Sequence, residues 1–353
     1  MKIVWALPEF EDPKTGAEKY YRQMLLSFLE KGNVTMARGI NYVNDRNLLE
    51  LLQNNINIFK ILLKSGRDEI IIEESSKRNK FILSNILLPL IWKQKIIIIV
   101  NEVFYPRKKS GAANMLIDMI NQLMFKLSYK IIVNSSATGQ WVKQHGVEDN
   151  KIYIVYPILK YEQEKIPGKS TAYHQPINLL CVSHLRKNKG QEYLLDALAR
   201  MNRNDVRLKL VGMIKEPEYF NYLIEKIDKN NLKDIVTIQG YCEADELENI
   251  YRDADIFVFP TLKEGFGMVL IEAMSFGLPI IASNVGGITD IIEDGVNGVL
   301  IEPASADAIA SALTRMMTDK GYSATLGKNA FNKYQGLPLW PETFRKLNNV
   351  LGG

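Results

Sequence analysis

Apolar and polar positions alternate in blocks along the chain. Short runs rich in Ile, Val and Leu are each followed by a stretch with apolar residues at helical spacing. Uninterrupted apolar runs are typical of strands buried on both faces, and their alternation with helices predicts a doubly wound parallel sheet. In the first half the predicted strands are KIVWAL (2–7), EIII (69–72), KIIIIV (95–100), YKIIVN (129–134) and KIYIV (151–155), with helices at 17–31 and 137–145.

The alternation stops at residues 161–176, a polar stretch with two prolines that predicts an interdomain linker. It then resumes, so we predict an α/β fold of two Rossmann-like, doubly wound parallel-sheet domains, residues 1–160 and 177–337. Ligands in such sheets bind at the carboxyl ends of strands, and two facing sheets would form one cleft. The second set comprises strands INLLCVS (177–183), VRLKLVG (206–212), IVTIQG (235–240), DIFVFP (255–260) and PIIAS (279–283), with helices at 190–201, 216–230, 244–252 and 268–276.

Composition and charge refine this prediction. The chain has 353 residues, of which 46% are hydrophobic and 24% charged, a globular composition large enough for two domains. The net charge of +4 is uneven, because residues 1–165 hold 24 Lys and Arg against 17 Asp and Glu, whereas residues 166–353 hold 20 against 23. A basic first half can attract anionic lipid headgroups or phosphorylated acceptors, and ordinary solvated lysines are the alternative.

The cysteine count and the apolar segments bear on location. Cys181 and Cys242 are too few for a disulfide framework, which suits a reducing compartment, so we expect a cytoplasmic protein. The opening MKIVWALPEF lacks the pattern of a signal peptide and predicts a first strand. Segment 81–100 is interrupted by Pro89 and by Lys93, so it predicts an amphipathic helix and a buried strand and not a spanning helix.

The stretch TLKEGFGMVLIEA (261–273) follows a predicted strand and carries candidate chemistry. Gly265 and Gly267 allow close approach of backbone to a ligand, and Met268 begins a helix whose first N–H groups suit an anion. Glu264 precedes this turn, and Glu272 lies one turn into the helix, where it can accept hydrogen bonds from vicinal hydroxyls. A solvated loop acid and a first-turn glutamate favoured by the helix dipole are the alternative interpretation.

These residues resemble a known family. From about 125 to 305 the chain is similar to the retaining glycosyltransferases of family 4, which have the GT-B architecture of two Rossmann-like domains facing across a cleft. The matching stretches include LLCVSHLRKNKGQEYLLDALA and DIFVFPTLKEGFGMVLIEAMSFGLPIIASNVGGITDIIEDGVNGVLIEP. The resemblance implies that Glu264 contacts the transferred sugar and Glu272 the nucleotide ribose. It also implies that the backbone of Gly265, Phe266, Gly267, Met268 and Val269 holds sugar and phosphate, and that a helix near 338–353 packs back on the first domain.

The stretch SHLRKNKG (183–190) resembles the second anion site of this family. Lys189 matches the lysine that binds the diphosphate and is assigned a catalytic role with Glu264. His184 stands where the family usually has an arginine, and Arg186 is the candidate to supply the missing charge, with a solvated surface residue as the alternative. Gly212 and Tyr241, which follow two later strands, complete the predicted donor-binding residues.

The first domain supplies weaker candidates. Gly16, after the first strand, resembles the family's glycine-rich loop beneath the diphosphate, although a plain turn at a helix start explains it nearly as well. Asn101 occupies the position where the family commonly has a histidine, and Glu102 follows it. Both are acceptor-side candidates, but an asparagine cannot shuttle protons.

No metal site is expected. Asp253 and Asp255 form a D-x-D triplet, yet they lead directly into a strand, which favours residues that end a helix and open that strand. Because no other cluster of oxygen ligands is evident, a catalytic divalent ion is not expected.

The resemblance implies a retaining, metal-independent glycosyltransferase of the hexosyltransferase type. Its co-substrate would be a sugar on UDP or GDP, with no cofactor and no nucleic-acid partner. Its acceptor would be a saccharide or a lipid-linked molecule in cell-surface glycan or glycolipid biosynthesis. Since no second carboxylate is assignable as nucleophile, attack on the face of the departing phosphate is favoured over a covalent intermediate.

Two other functions stay open. A nucleotide-sugar epimerase of similar fold would release free nucleotide without an acceptor, and a noncatalytic nucleotide- or glycan-binding protein would bind donor without turnover. A nicotinamide enzyme is poorly supported, because neither half shows G-x-G-x-x-G after its first strand.

Lysine clusters in the first half suggest a membrane partner. They are KRNK (77–80), WKQK (92–95) and PRKK (106–109). Our hypothesis is peripheral contact with an anionic membrane that bears a lipid-linked acceptor, at its inner face.

Overall fold

The structure is a computed structural model. It describes residues 2–6, 16–30, 32, 34–36, 48–64, 66, 69–74, 78–101, 111–158, 173 and 175–351. The chain divides into two compact units, Met1–Leu159 with Leu339–Gly353, and Lys160–Pro338. Most of the predicted linker, 161–176, lies outside the described residues, and each unit is described by itself.

The first unit is a parallel sheet with helices on its faces. Its strands are β1 (Ile3–Trp5), β2 (Val34–Met36), β3 (Ile70–Glu74), β4 (Lys95–Val100), β5 (Lys130–Val133) and β6 (Ile152–Ile154). Its helices before residue 160 are α1 (Gly16–Glu30), α2 (Leu48–Leu62), α3 (Arg78–Trp92), α4 (Gly111–Leu127) and α5 (Ser136–Gln144). Among the described residues the strands form one six-stranded sheet in the order β2-β1-β3-β4-β5-β6, with every pairing parallel.

Both faces of this sheet are buried, which explains its continuous isoleucine runs. Successive side chains of a strand point to opposite faces. Ile97 and Ile99 of β4 therefore pack with α1, whereas Ile96 and Ile98 pack with α2 to α5.

The second unit repeats the architecture. Its strands are β7 (Ile177–Val182), β8 (Val206–Val211), β9 (Val236–Gln239), β10 (Ile256–Phe259), β11 (Ile280–Ser283) and β12 (Val299–Ile301). Its helices are α6 (Gln191–Met201), α7 (Pro217–Lys229), α8 (Ala244–Asp253), α9 (Met268–Ser275), α10 (Ile288–Ile291), α11 (Ala306–Thr318) and α12 (Lys320–Gln335). Within the described part of this unit the sheet is six-stranded and parallel, in the order β12-β11-β10-β7-β8-β9.

The strand order places a topological switch point between β7 and β10. The chain runs outward from β7 through β8 to β9, then returns to β10 on the other side of β7. In open parallel sheets the crevice at such a point, beyond the carboxyl ends of the strands, is where ligands bind. The loops after β7 and β10 are therefore the place to look for a site.

The last helix, α13 (Trp340–Leu351), belongs to the first unit. The Trp340 indole Nε1 donates a hydrogen bond to Ser27 Oγ of α1 at 3.0 Å, and its ring lies edge-on to Tyr20. Phe344 packs on Phe28 with ring centroids 4.9 Å apart. Both residues are thus part of the first unit's core.

The sequence pattern predicts the parallel sheets but misses some elements. β2 and β12 are each three residues long and lie at the edges of their sheets, so they leave no apolar run to detect. α3 is a single helix that contains Pro89. None of the helices in the described part of the chain is both long and apolar enough to cross a membrane.

Candidate functional site

Two loops meet at the switch point of the second unit. The loop after β7 contains a short 3-10 helix, Lys187–Lys189, and the loop after β10 runs from Pro260 to Gly267. The carbonyl of Asn188 accepts hydrogen bonds from the Leu262 N–H at 2.8 Å and from Thr261 Oγ1 at 3.1 Å. The two loops are therefore held together through their backbones.

The position after Lys189 requires a glycine, because the backbone there lies close to the second loop. Gly190 has φ +67°, and a Cβ added there would lie 2.1 Å from the Pro260 carbonyl oxygen. Any side chain would separate the two loops, because heavy atoms do not approach so closely. The Lys-Gly pair thus sets the approach of the lysine to the second loop.

Lys189 and Glu264 form the charged centre of the site. Lys189 Nζ donates to Glu264 Oε2 at 2.8 Å, and each side chain is 16% exposed. The ammonium also lies 5.4 Å from the centroid of the Phe259 ring. A partly buried pair of this kind is screened less by solvent than a surface pair. It presents a cation suited to a phosphate and a carboxylate suited to a hydroxyl.

The turn after β11 packs against the backbone of Glu264. Gly286 has φ +54°, and a Cβ there would lie 1.9 Å from the Glu264 carbonyl oxygen. The Gly287 N–H points at the same oxygen, 3.4 Å away. Sequence reasoning missed this contact, although the Gly-Gly pair after PIIAS is a visible turn signal.

α9 begins directly after the glutamate loop. Gly267 has the left-handed φ of +101°, and no side chain caps the helix start. The first N–H groups of a helix have no partner within it, and the helix dipole adds positive potential there. The Phe266 ring is buried, so only the backbone of that residue is placed to meet a ligand.

Glu272 lies on α9 and is held by a tyrosine. The Tyr251 hydroxyl donates to Glu272 Oε2 at 2.8 Å. Burial raises the pKa of Tyr251 well above its usual value, and the negative charge of Glu272 raises it further. The hydroxyl therefore stays protonated and donates. Tyr251 escaped the sequence analysis because it lies on a different helix, α8.

Arg186 forms an ion pair with Glu216. Its Nε lies 3.6 Å from Glu216 Oε1, and both side chains are about half exposed. Glu216 Oε2 also accepts from the Lys187 N–H at 3.0 Å. The assignment of Arg186 to the diphosphate stays a prediction, and binding there would exchange its carboxylate partner.

The backbone at His184 is fixed by a buried glutamine. Gln191, the first residue of α6, donates from Nε2 to Ser183 Oγ and to the His184 carbonyl, each at 2.9 Å. The side chain of His184 is half-buried at the end of β7. Gln191 was missed from sequence because a polar residue at a helix start is unremarkable by itself.

Gly212 and Tyr241 lie in the neighbouring loops. Gly212 has φ +145°, and a Cβ there would lie 2.1 Å from the Ser183 carbonyl oxygen, so close packing of the ends of β7 and β8 already requires a glycine. The Tyr241 ring is exposed, and its hydroxyl lies 3.4 Å from Glu243 Oε2.

The donor-binding candidate Gly16 and the acceptor-side candidates belong to the first unit. Gly16 is the first residue of α1. Asn101 follows β4, donates from Nδ2 to the Tyr21 hydroxyl, and accepts at its carbonyl from Asn134 Nδ2 at 2.7 Å. Glu102 lies outside the described residues.

The D-x-D triplet lies between the end of α8 and the start of β10. Asp253 is the last residue of α8, and buried Asp255 accepts from the Asn178 N–H at 2.8 Å, which joins β7 to the start of β10. In the described part of the chain no three His, Cys, Asp or Glu residues are grouped so that they could hold a metal ion.

Comparison with known sequences points to one family. Residues 162–333 match the family model of the glycosyl transferases group 1. An uncharacterized glycosyltransferase of Methanocaldococcus jannaschii is 31% identical over 173 residues, which is 49% of this chain and 44% of that protein. The chain spans about half the length of the curated relatives it matches.

Solved structures share the fold over the whole chain. HepE of Anabaena, in complex with UDP, has a TM-score of 0.72 at 19% identity and covers 100% of both chains. Sucrose-phosphate synthase from Thermosynechococcus elongatus has a TM-score of 0.76 at 20% identity and covers 99% of this chain and 98% of its own. This likeness confirms the predicted GT-B fold class. Over residues 162–333 the chain is similar to the glycosyl transferases group 1.

Proposed function

We propose that this chain transfers a sugar from a nucleoside diphosphate, UDP or GDP, to a saccharide or lipid-linked acceptor. The observation that carries the proposal is the Lys189–Glu264 pair beside the start of α9, at the switch point of the second sheet. The bound UDP of the HepE structure supports a nucleoside diphosphate as the class of ligand. The resemblance of the motif further supports retaining family 4.

The proposed chemistry follows from charge. When the bond from the anomeric carbon to the diphosphate breaks, positive charge develops on the sugar ring and negative charge on the departing phosphate. Lys189 and the amide groups at the start of α9 stabilise the phosphate through preorganised electrostatics, and this is why we propose a mechanism without a metal ion. Glu264 faces the sugar, and the acceptor attacks the face that the phosphate leaves.

The remaining candidates bind donor or acceptor in this proposal. Glu272 accepts hydrogen bonds from the ribose hydroxyls. Arg186 reaches the diphosphate only when it leaves Glu216. Asn101 donates a hydrogen bond on the acceptor side, where it can orient a hydroxyl but cannot remove its proton.

Substitution Glu264→Gln tests the role of the carboxylate. It keeps the size of the side chain and removes its charge, so we expect transfer to fall at least about a hundredfold, the scale measured when one transition-state contact is lost. Nucleotide binding should stay nearly intact. The donor is first identified by a thermal-shift screen of nucleotide sugars, and the products are then analysed.

The matched control is Glu218→Gln, on the exposed surface of α7, which should transfer at the wild-type rate. Full activity of the Glu264 variant would remove this residue from the mechanism. Release of free nucleotide without any acceptor would favour an epimerase, and tight donor binding without turnover across many acceptors would favour a binding protein.

We also propose that the first unit contacts an anionic membrane. The exposed face of α4 carries Met115, Met119 and Leu123 at helical spacing, followed by exposed Lys126. α3 packs beside α4. Its last turn exposes Leu90 and Ile91, and exposed Lys93 directly follows the helix. Apolar side chains flanked by lysines are the combination that binds the surface of an anionic bilayer.

A further inference from the structure

Tyr251 is a buried polar group that the mechanism described above does not use. It lies on α8, which contributes no other residue to the candidate site, and its side chain is buried. Its ring stacks on Phe276, with centroids 5.1 Å apart and planes 4° apart, and on Phe257, with centroids 5.9 Å apart. The ring thus packs against two aromatic side chains.

The Tyr251 hydroxyl donates a hydrogen bond to Glu272. The distance from the hydroxyl oxygen to Glu272 Oε2 is 2.8 Å, which is a strong hydrogen bond to a carboxylate. A glutamate on a helix has several rotamers, and ordering such a side chain costs entropy. A bond from a rigid donor selects one rotamer before any ligand arrives.

The bond leaves Glu272 able to accept other hydrogen bonds. A carboxylate offers about four lone-pair sites, and one hydrogen bond uses one of them. In a helix each Cα–Cβ bond tilts toward the amino terminus, and α9 begins directly after the loop that holds Glu264 and Gly265. Vicinal hydroxyls of a nucleotide bound at that loop are suitable donors.

We propose that Tyr251 is a positioning residue for donor binding, which holds the Glu272 carboxylate in the orientation that accepts the ribose hydroxyls. The inference rests on the proposed function, since it assumes that a nucleoside diphosphate occupies the site. Because burial keeps the Tyr251 hydroxyl protonated, the hydroxyl remains a hydrogen-bond donor up to about pH 9.

The test compares one nucleotide with and without its ribose hydroxyls. Dissociation constants of UDP and 2′,3′-dideoxy-UDP, or of the GDP pair if UDP does not bind, are measured by calorimetry on the wild type and on Tyr251→Phe. We expect the wild type to prefer the hydroxylated nucleotide. The variant should bind that nucleotide about tenfold more weakly and the dideoxy nucleotide unchanged, since a hydrogen bond to a charged group contributes this much.

Two further variants separate positioning from general damage. Tyr173→Phe is the matched control, because its hydroxyl donates to the Met316 carbonyl at 3.0 Å and makes no contact with Glu272 in the described structure. It should leave both constants unchanged. In a Glu272→Gln background, which cannot accept the ribose bonds as a carboxylate does, Tyr251→Phe should add little. The preference ratio is read on one protein sample, so a fraction of unfolded protein does not change it.

The outcomes are distinct. If the wild type binds neither UDP nor GDP, the proposed function fails and the inference fails with it. If the wild type prefers the hydroxylated nucleotide and Tyr251→Phe keeps that preference, only the inference is overturned. Equal weakening of both nucleotides by Tyr251→Phe also overturns it, because that result indicates a structural role.

Discussion

At the scale of single residues, the site depends on two glycines that let loops touch. An added Cβ would lie 2.1 Å from the Pro260 carbonyl at Gly190 and 1.9 Å from the Glu264 carbonyl at Gly286. Both glycines have positive φ, which side chains rarely adopt. The position of Glu264 is therefore set by the packing of Gly286 on its backbone and by the ion pair of its side chain with Lys189.

Substitution Gly286→Ala tests this support. The added methyl group must move the Glu264 backbone, so we expect transfer to fall at least tenfold and the free energy of unfolding to fall by about 2 kcal/mol. Gly321→Ala is the control, because its nearest neighbour would be Asp319 Oδ1 at an ordinary 3.5 Å. Chemical denaturation and a transfer assay measure the two effects, and unchanged activity of Gly286→Ala would contradict the account.

The residues that sequence could reveal are those whose signal is local. Glu264, Gly265 and Glu272 share one short motif, and the resemblance of that motif to a known family marks them. Tyr251 and Gly286 could not be found this way, because each acts on a residue about twenty positions away. Only the folded chain brings them together.

At the scale of elements, the exposed face of α4 departs from the usual pattern of a covering helix. Its inner side packs on the sheet through Phe125, while its outer side keeps Met115 and Met119 in solvent. Exposed apolar side chains on one helix face are typical of a surface that binds something. The sequence pattern predicted basic clusters here but not this apolar face.

The double substitution Met115→Glu and Met119→Glu tests membrane contact. Both side chains are exposed, so the fold should be kept while charge repels the bilayer. We expect wild type to sediment with anionic vesicles at low salt in preference to neutral ones, and the variant to lose most of this binding. The control is Ile224→Glu, because the Ile224 side chain is also exposed and lies on α7 of the second unit. Equal sedimentation of the wild type with anionic and neutral vesicles would refute the proposal.

At the scale of the whole molecule, each unit has its own parallel sheet and its own core. The alternation of strands and helices predicts two such sheets, because buried strands and amphipathic helices leave different periodicities. It does not predict strand order. β10 follows β9 along the chain but pairs with β7, and this pairing alone brings Lys189 to Glu264.

The central claim is that this pairing builds a diphosphate site, and titration of nucleotide tests it most directly. UDP and GDP are titrated calorimetrically, with EDTA present, into the wild type, Lys189→Met and the control Lys187→Met, whose side chain is exposed on the same 3-10 helix. We expect the wild type and the control to bind either UDP or GDP with the same dissociation constant. Lys189→Met should bind that nucleotide about thirtyfold more weakly. Equal binding by all three proteins, or binding of neither nucleotide by the wild type, would contradict the account.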